Sequence, residues 1–174
     1  MSIGIIFQHF WTDQTANLEQ DAHTNTVNLI KNLPNDIHVM AFDITVDHIL
    51  NKIQNKFTSV VQFQENVAIS DLPKVKMKRW IQEKSIDKIF IAGLHFNCCV
   101  MQCATALREI AEELDLDWGN KFTVQVIEEC TISLSQNEKD PCRLEDTTLY
   151  MNYELIKPWL VKQQNVLELI HEDS

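Results

Sequence analysis

The sequence predicts an α/β fold in three layers, with a mostly parallel six-stranded sheet and helices on both faces. Short apolar runs alternate with longer amphipathic segments along the chain, which is typical of successive β–α–β units. The runs are apolar at consecutive positions, as strands buried on both faces are. No repeat or Gly/Ser-rich linker divides the 174 residues, so we predict a single domain over residues 1–174.

The first half of the chain supplies three predicted strands. Residues 3–10 form an apolar run that is long enough for a buried strand but too short for a helix. Residues 14–33 are predicted to be a helix that ends before Pro34. A second strand is predicted at 37–42, a helix at 46–53 with its apolar residues on one face, and a third strand at 58–63.

The second half continues the alternation. A helix is predicted from Asp71 to about residue 84, because Asp71 can cap it and Pro73 suits its first turn. Residues 86–93 are the most continuous apolar segment and predict a fourth strand. A long helix at 98–116 ends before Gly119, and a fifth strand follows at 122–127. A weaker helix is predicted at 144–161 and a sixth strand at 166–170.

Composition excludes several classes of function. The formal net charge of −10 repels phosphate backbones, so we expect neither nucleic acid nor an anionic membrane as partner. Three glycines cannot supply a GxGxxG or Walker loop, and we predict no cofactor. Five cysteines without disulfide-scaffold spacing fit a reducing compartment, and the first residues lack a basic leader, so we expect a cytoplasmic location.

The candidate site lies at residues 89–100, which read as strand, tight turn and helix. In parallel sheets, ligands bind beyond the carboxyl ends of strands. Asn97 is placed to cap the helix, so Cys99 falls in its first turn. Unpaired N–H groups and the helix dipole there favour a thiolate, and the same groups could hold an oxyanion. The alternative is that Cys98, Cys99 and Cys103 are small apolar fillers.

The octapeptide at 93–100 resembles the nucleophile turn of the isochorismatase-like cysteine hydrolases, which include nicotinamidases and N-carbamoylsarcosine amidohydrolases. The residues that match the family pattern are Gly93, Leu94, Asn97, Cys99 and Val100. The resemblance extends over residues 58–134, where Glu129 takes the position of an Asp after the next strand.

The resemblance implies a Rossmann-like sheet and a Cys–Asp–Lys triad in which Cys99 attacks an amide-like carbon and forms a covalent intermediate. It also implies an oxyanion turn built from Leu94, His95 and Cys99, with a cis peptide bond between Leu94 and His95. Relatives form dimers or larger assemblies, so the resemblance implies a homodimer or larger homo-oligomer.

The other two triad positions depart from the family. The slot for the Asp falls on Phe7 or Gln8, and the slot for the Lys on Gln62, Phe63 or Gln64. We therefore expect a pocket bordered by Gln8, His9 and Phe63 at these slots. His9 or His95 could replace the base, and the alternative for each is a hydrogen-bonded or surface histidine.

No metal site is predicted. Asp43, Asp47 and His48 follow the second strand, where nicotinamidases carry an Asp-x-His motif, but their spacing does not match it.

Two functions remain open from the sequence. The first is a cysteine hydrolase that attacks a small amide-like substrate through Cys99. The second is a catalytically inactive family member that binds a small molecule or a protein partner. Whether the chain is an enzyme stays undecided at this point, because the Asp and Lys are not found.

Overall fold

The structure is a computed structural model that describes residues 1–8, 10, 17–63, 71–134, 141–144 and 153–173. Its strands are β1 (Ile3–Gln8), β2 (His38–Phe42), β3 (Val60–Phe63), β4 (Lys88–Gly93), β5 (Thr123–Ile127), β6 (Ser133–Leu134), β7 (Pro141–Cys142) and β8 (Leu160–Val161). Its α-helices are α1 (Asn17–Asn32), α2 (Asp47–Lys56), α3 (Asp71–Lys84), α4 (Met101–Glu113), α5 (Tyr153–Ile156) and α6 (Gln163–Glu172).

Six strands form one parallel sheet in the order β3-β2-β1-β4-β5-β8, and β6 and β7 pair separately as an antiparallel hairpin. The predicted three-layer α/β fold is therefore confirmed. β2 and β3 follow β1 on one side of the sheet, and β5 and β8 follow β4 on the other side. The direction in which successive strands are added therefore reverses between β1 and β4. A reversal of this kind opens a crevice at the carboxyl edge, which is where ligands bind in such sheets.

Side chains of β1 alternate between two apolar cores because successive residues of a strand point to opposite faces. Ile5 and Phe7 lie in the core on the α1, α2 and α6 side. Ile6 lies in the core on the α3 and α4 side, which also contains Trp80. Both faces of the central strands are thus covered, which explains their continuous apolar sequence.

The C-terminal segment differs from the prediction in two places. The strand predicted at 166–170 is wrong, because these residues belong to α6, and the sixth strand of the sheet is β8. Val166 and Ile170 are four residues apart and both are buried against the α1 side, which is a helical spacing. The continuous helix predicted at 144–161 is also wrong, since the described part of that range contains α5, a 3₁₀ turn and β8.

No helix in the described part of the chain is both long and apolar enough to cross a membrane.

Candidate functional site

The turn after β4 begins with a backbone bridge to a neighbouring segment. The Ile132 N–H donates to the Leu94 carbonyl and the Phe96 N–H donates to the Ile132 carbonyl, both at 2.7 Å. These bonds hold Leu94 and His95 in an extended conformation beside Ile132. The peptide bond between Leu94 and His95 is trans, so the expected cis bond is wrong.

A single π-helical turn, Phe96–Val100, follows directly and continues into α4. His95 occupies the N-cap position, and its carbonyl accepts the N–H groups of Cys98 and Val100, each at 3.3 Å. Asn97 therefore lies inside the helical turn, and the prediction that it caps the helix is wrong. The bridge to Ile132 ends at Phe96, so the turn begins two residues earlier than the sequence predicted.

The structure places Cys99 in this first turn but encloses its thiol completely, with no exposed surface. Burial raises the pKa of the Cys99 thiol far above its usual range, and the neighbouring Cys98 thiol raises it further. Backbone hydrogen bonds from Cys99 and His95 act in the opposite direction without reversing the shift. The predicted lowering of the Cys99 pKa is therefore wrong, because loss of solvent outweighs the helix terminus. Cys98, one residue earlier, is exposed.

The end of β1 does approach the turn that carries Cys99. Gln8 pairs in register with Gly93, and its side-chain Nε2 donates to the Cys99 carbonyl at 2.9 Å. The Gln8 side chain is buried, and its Oε1 has no hydrogen-bond partner within the described residues. Gln8 thus occupies the slot that the resemblance assigns to an Asp, but a neutral amide cannot remove a proton from a thiol.

The slot assigned to a Lys holds an aromatic ring instead. Phe63, at the end of β3, is buried and stacks on Phe42 with ring centroids 4.9 Å apart. The Lys76 Nζ of α3 lies 4.8 Å from the centroid of the Phe63 ring. This ammonium could not be anticipated from the sequence, because Lys76 belongs to a basic stretch that reads as solvated surface. The remaining predicted residue, His9, lies outside the described residues.

His95 directs its ring towards α1, where its Nε2 lies 3.3 Å from the Glu19 Oε1. Both side chains are nearly buried, with exposed fractions of 12% and 10%. Burial lowers the pKa of His95 to about 4. A carboxylate at this distance favours the charged imidazole, but the burial of the ring is the larger effect.

His23, one turn after Glu19 on α1, adds a second buried imidazole. Its ring centroid lies 5.3 Å from that of Phe10 and 6.1 Å from that of His48. The pKa of His23 is lowered to about 4, mainly by burial and also by the nearby His48 and His95 as potential like charges. Glu19 and His23 were not predicted as site residues, although their spacing of four on the helix after β1 places them on one face.

Glu129, at the position that the resemblance compares with an Asp, has a structural role. Its carboxylate Oε2 accepts the N–H of Gln163 at 2.9 Å, at the first residue of α6, and its backbone carbonyl accepts Asn25 Nδ2 at 2.8 Å. A carboxylate at a helix N-terminus satisfies an otherwise unpaired N–H group. Across the residues that the structure describes, no three His, Cys, Asp or Glu side chains are grouped as metal ligands.

Comparison with known proteins gives no match: no family model, no curated protein and no solved structure is significantly similar to this chain.

Proposed function

We propose that this chain is a non-catalytic relative of the isochorismatase-like cysteine hydrolases and that it binds a small molecule without covalent chemistry at Cys99. The observation that carries the proposal is the burial of the Cys99 thiol, which raises its pKa. An ordinary thiol with a pKa of about 8.5 is roughly 3% thiolate at pH 7, and a raised pKa reduces that fraction further.

The relationship is supported by where the turn lies. The resemblance places a nucleophile turn after the fourth strand, close to the end of the first strand. In this chain the turn follows β4, and the Gln8 side chain at the end of β1 donates to the Cys99 carbonyl. The parallel order of the strands is compatible with the family's sheet.

The residues at the two other triad positions, those that the resemblance assigns to an Asp and a Lys, support the absence of catalysis. Nucleophilic attack by a thiol needs a group that accepts its proton and a group that stabilises developing charge. Gln8 is a neutral amide at the first slot, and Phe63 is a stacked ring at the second. Neither side chain can perform the role of the carboxylate or the ammonium that the resemblance assigns there, and the Lys76 ammonium at the second slot lies against the Phe63 ring, 4.8 Å from its centroid.

The hydrolase alternative has one observation in its favour, the position of Cys99 in the first helical turn beyond β4. It requires a movement that exposes the thiol, together with a base such as His9 or His95. In this structure the His95 ring is paired with Glu19.

Thiol reactivity tests the proposal directly. Brief treatment with iodoacetamide at pH 7.5, followed by peptide mass spectrometry, should modify exposed Cys98 first and leave Cys99 unmodified. Cys103 is the matched control, because it is also fully buried and burial raises its pKa to about 12. We expect Cys99 and Cys103 to react equally slowly. Faster labelling of Cys99 than of Cys98 would show an activated nucleophile and overturn the proposal.

Turnover provides the second test. Ammonia release from nicotinamide and from N-carbamoylsarcosine should be the same for the wild-type chain and for Cys99→Ala, after circular dichroism has shown that the variant is folded. Ammonia release that disappears in Cys99→Ala would restore the hydrolase function.

A further inference from the structure

A small cavity that Cys99 does not line lies between the start of α4, the end of β5 and the segment before β8. Its volume is about 180 Å³. Phe96, Val126 and Ile156 are buried residues of its wall, and Trp118 and Trp159 are its largest lining side chains. It is therefore a mostly apolar chamber with two indoles on the α4 face of the sheet, and it is open to solvent at Trp159 and Arg108.

The size of this chamber suits one aromatic ring. An enclosed apolar cavity of about 150 Å³ is large enough to hold benzene. A nucleotide or a peptide side chain with its backbone would not fit. The volume thus limits the occupant to a single-ring compound or a fragment of similar size.

The two tryptophans favour an aromatic occupant over an aliphatic one. Their ring centroids lie 6.3 Å apart with planes inclined at 52°. Trp118 is half-buried, and Trp159 is 38% exposed. Aromatic rings attract one another in offset and edge-to-face arrangements, so two indoles in the lining favour a ring as occupant.

Among the described residues, one cation lines this cavity, Arg108 of α4. Its Nε lies 3.9 Å from the Glu112 Oε1, and both side chains are largely exposed. An exposed pair with such a long contact contributes little, so a ligand carboxylate that binds the guanidinium through two hydrogen bonds could replace it. The formal net charge of the chain is −10, so an anion would gain its attraction from this local cation rather than from the overall charge.

We propose that this cavity binds a single-ring aromatic carboxylate, with its ring beside Trp118 and Trp159 and its carboxylate on Arg108. The inference extends the proposed binding function by naming a ligand class and a place for it. Its test does not involve Cys99, so its failure is distinguishable from a failure of the proposed function.

Benzoate is the probe, and benzamide is the neutral control of the same shape. Binding to the full chain is measured by isothermal titration calorimetry and by quenching of tryptophan fluorescence. We expect Arg108→Gln to weaken benzoate about tenfold and to leave benzamide unchanged, since tenfold corresponds to about 1.4 kcal/mol. Arg79→Gln on α3 is the matched control, because Arg79 is also a helix arginine with solvent access, and it should change neither affinity.

A second variant tests the position of the ring. Ala104 lines the cavity and is half-buried, so Ala104→Phe should fill the space and abolish binding of both probes while the far-ultraviolet spectrum stays that of a folded chain. Benzoate binding that survives Ala104→Phe, or that is insensitive to Arg108→Gln, would overturn the proposal, as would no binding at millimolar benzoate. Analytical ultracentrifugation of the wild type and of Ala104→Phe tests a further outcome. If the substitution dissociates an oligomer, the cavity is an interface between copies and the proposed ligand site is overturned.

Discussion

His23 should make the folded protein sensitive to mild acid. The side chain is buried, and its pKa falls from 6.5 to about 4 on folding because of burial and of the nearby His48 and His95. The folded state therefore binds fewer protons than the unfolded state between these two values. The stabilising contribution of neutral His23 is complete above pH 6.5 and is lost as the pH falls towards 4.

The size of the effect follows from the two pKa values. With an unfolded pKa of 6.5 and a folded pKa of about 4, linkage gives a loss of about 2 kcal/mol in the free energy of unfolding between pH 7.5 and pH 5. That loss is a sizeable part of the roughly 5–15 kcal/mol that a domain has in total. His95, whose pKa is also lowered to about 4, adds a contribution of the same sign.

Urea denaturation at pH 7.5 and pH 5.0 measures this contribution. His23→Gln removes the titrating group but keeps a polar side chain. Between pH 7.5 and pH 5.0, the free energy of unfolding of this variant should therefore decrease by about 2 kcal/mol less than that of the wild type. Gln102→Asn is the control, because Gln102 is exposed on α4 and neither side chain titrates, so this variant should keep the wild-type pH dependence.

A loss of stability with falling pH that is as steep in His23→Gln as in the wild type would refute this role of His23. An NMR titration in which the His23 ring of the folded protein has a pKa near 6.5 would refute it equally.

Further expectations concern the turn that carries Cys99 and the loop after α4. Gly93→Ala should destabilise the protein by about 1–3 kcal/mol in urea, because the new Cβ would lie 2.8 Å from the Val100 Cγ2; an unchanged midpoint would contradict this. Gly119→Ala should cost only about 1–2 kcal/mol, since its φ of 83° strains an L-residue but no atom lies within 4 Å; a larger loss than for Gly93→Ala would be inconsistent with these contacts. Gln8→Glu should destabilise more than Gln8→Leu at pH 7, because it buries a carboxylate against the Cys99 carbonyl, and the difference should shrink at pH 4; equal stabilities at pH 7 would argue against the hydrogen bond.

The central sheet could be predicted because its signal is local. The runs that became β1 and β4 are apolar at consecutive positions, and both strands are buried on both faces. The C-terminal segment could not be assigned in the same way. Residues 166–170 are mostly apolar, and a short apolar run fits either a strand or a buried helix by periodicity alone. In the structure Leu160 and Val161 pair with β5 and supply the sixth strand, and residues 166–170 belong to α6.

The candidate site was predictable in position but not in chemistry. The strand–turn–helix pattern placed Cys99 correctly beyond β4, because that information is contained in a dozen adjacent residues. The pKa of its thiol depends on which distant residues cover it, and burial is a property of the whole fold. The pairing of Glu19 with His95 joins residues 76 positions apart, so no local pattern indicates it.

The sixth strand of the sheet has a consequence for how the molecule comes apart. β8 contributes only two residues, opposite Val126 and Ile127, while Ile156 before it is embedded on one side of the sheet and Val166 after it on the other. The C-terminal segment therefore crosses the edge of the sheet, and the burial of Ile156 and Val166 holds it in place more than the two-residue pairing of β8 does. Detachment of this segment would expose the outer edge of β5. The C-terminal segment of a second copy could then pair with that edge, as in domain swapping.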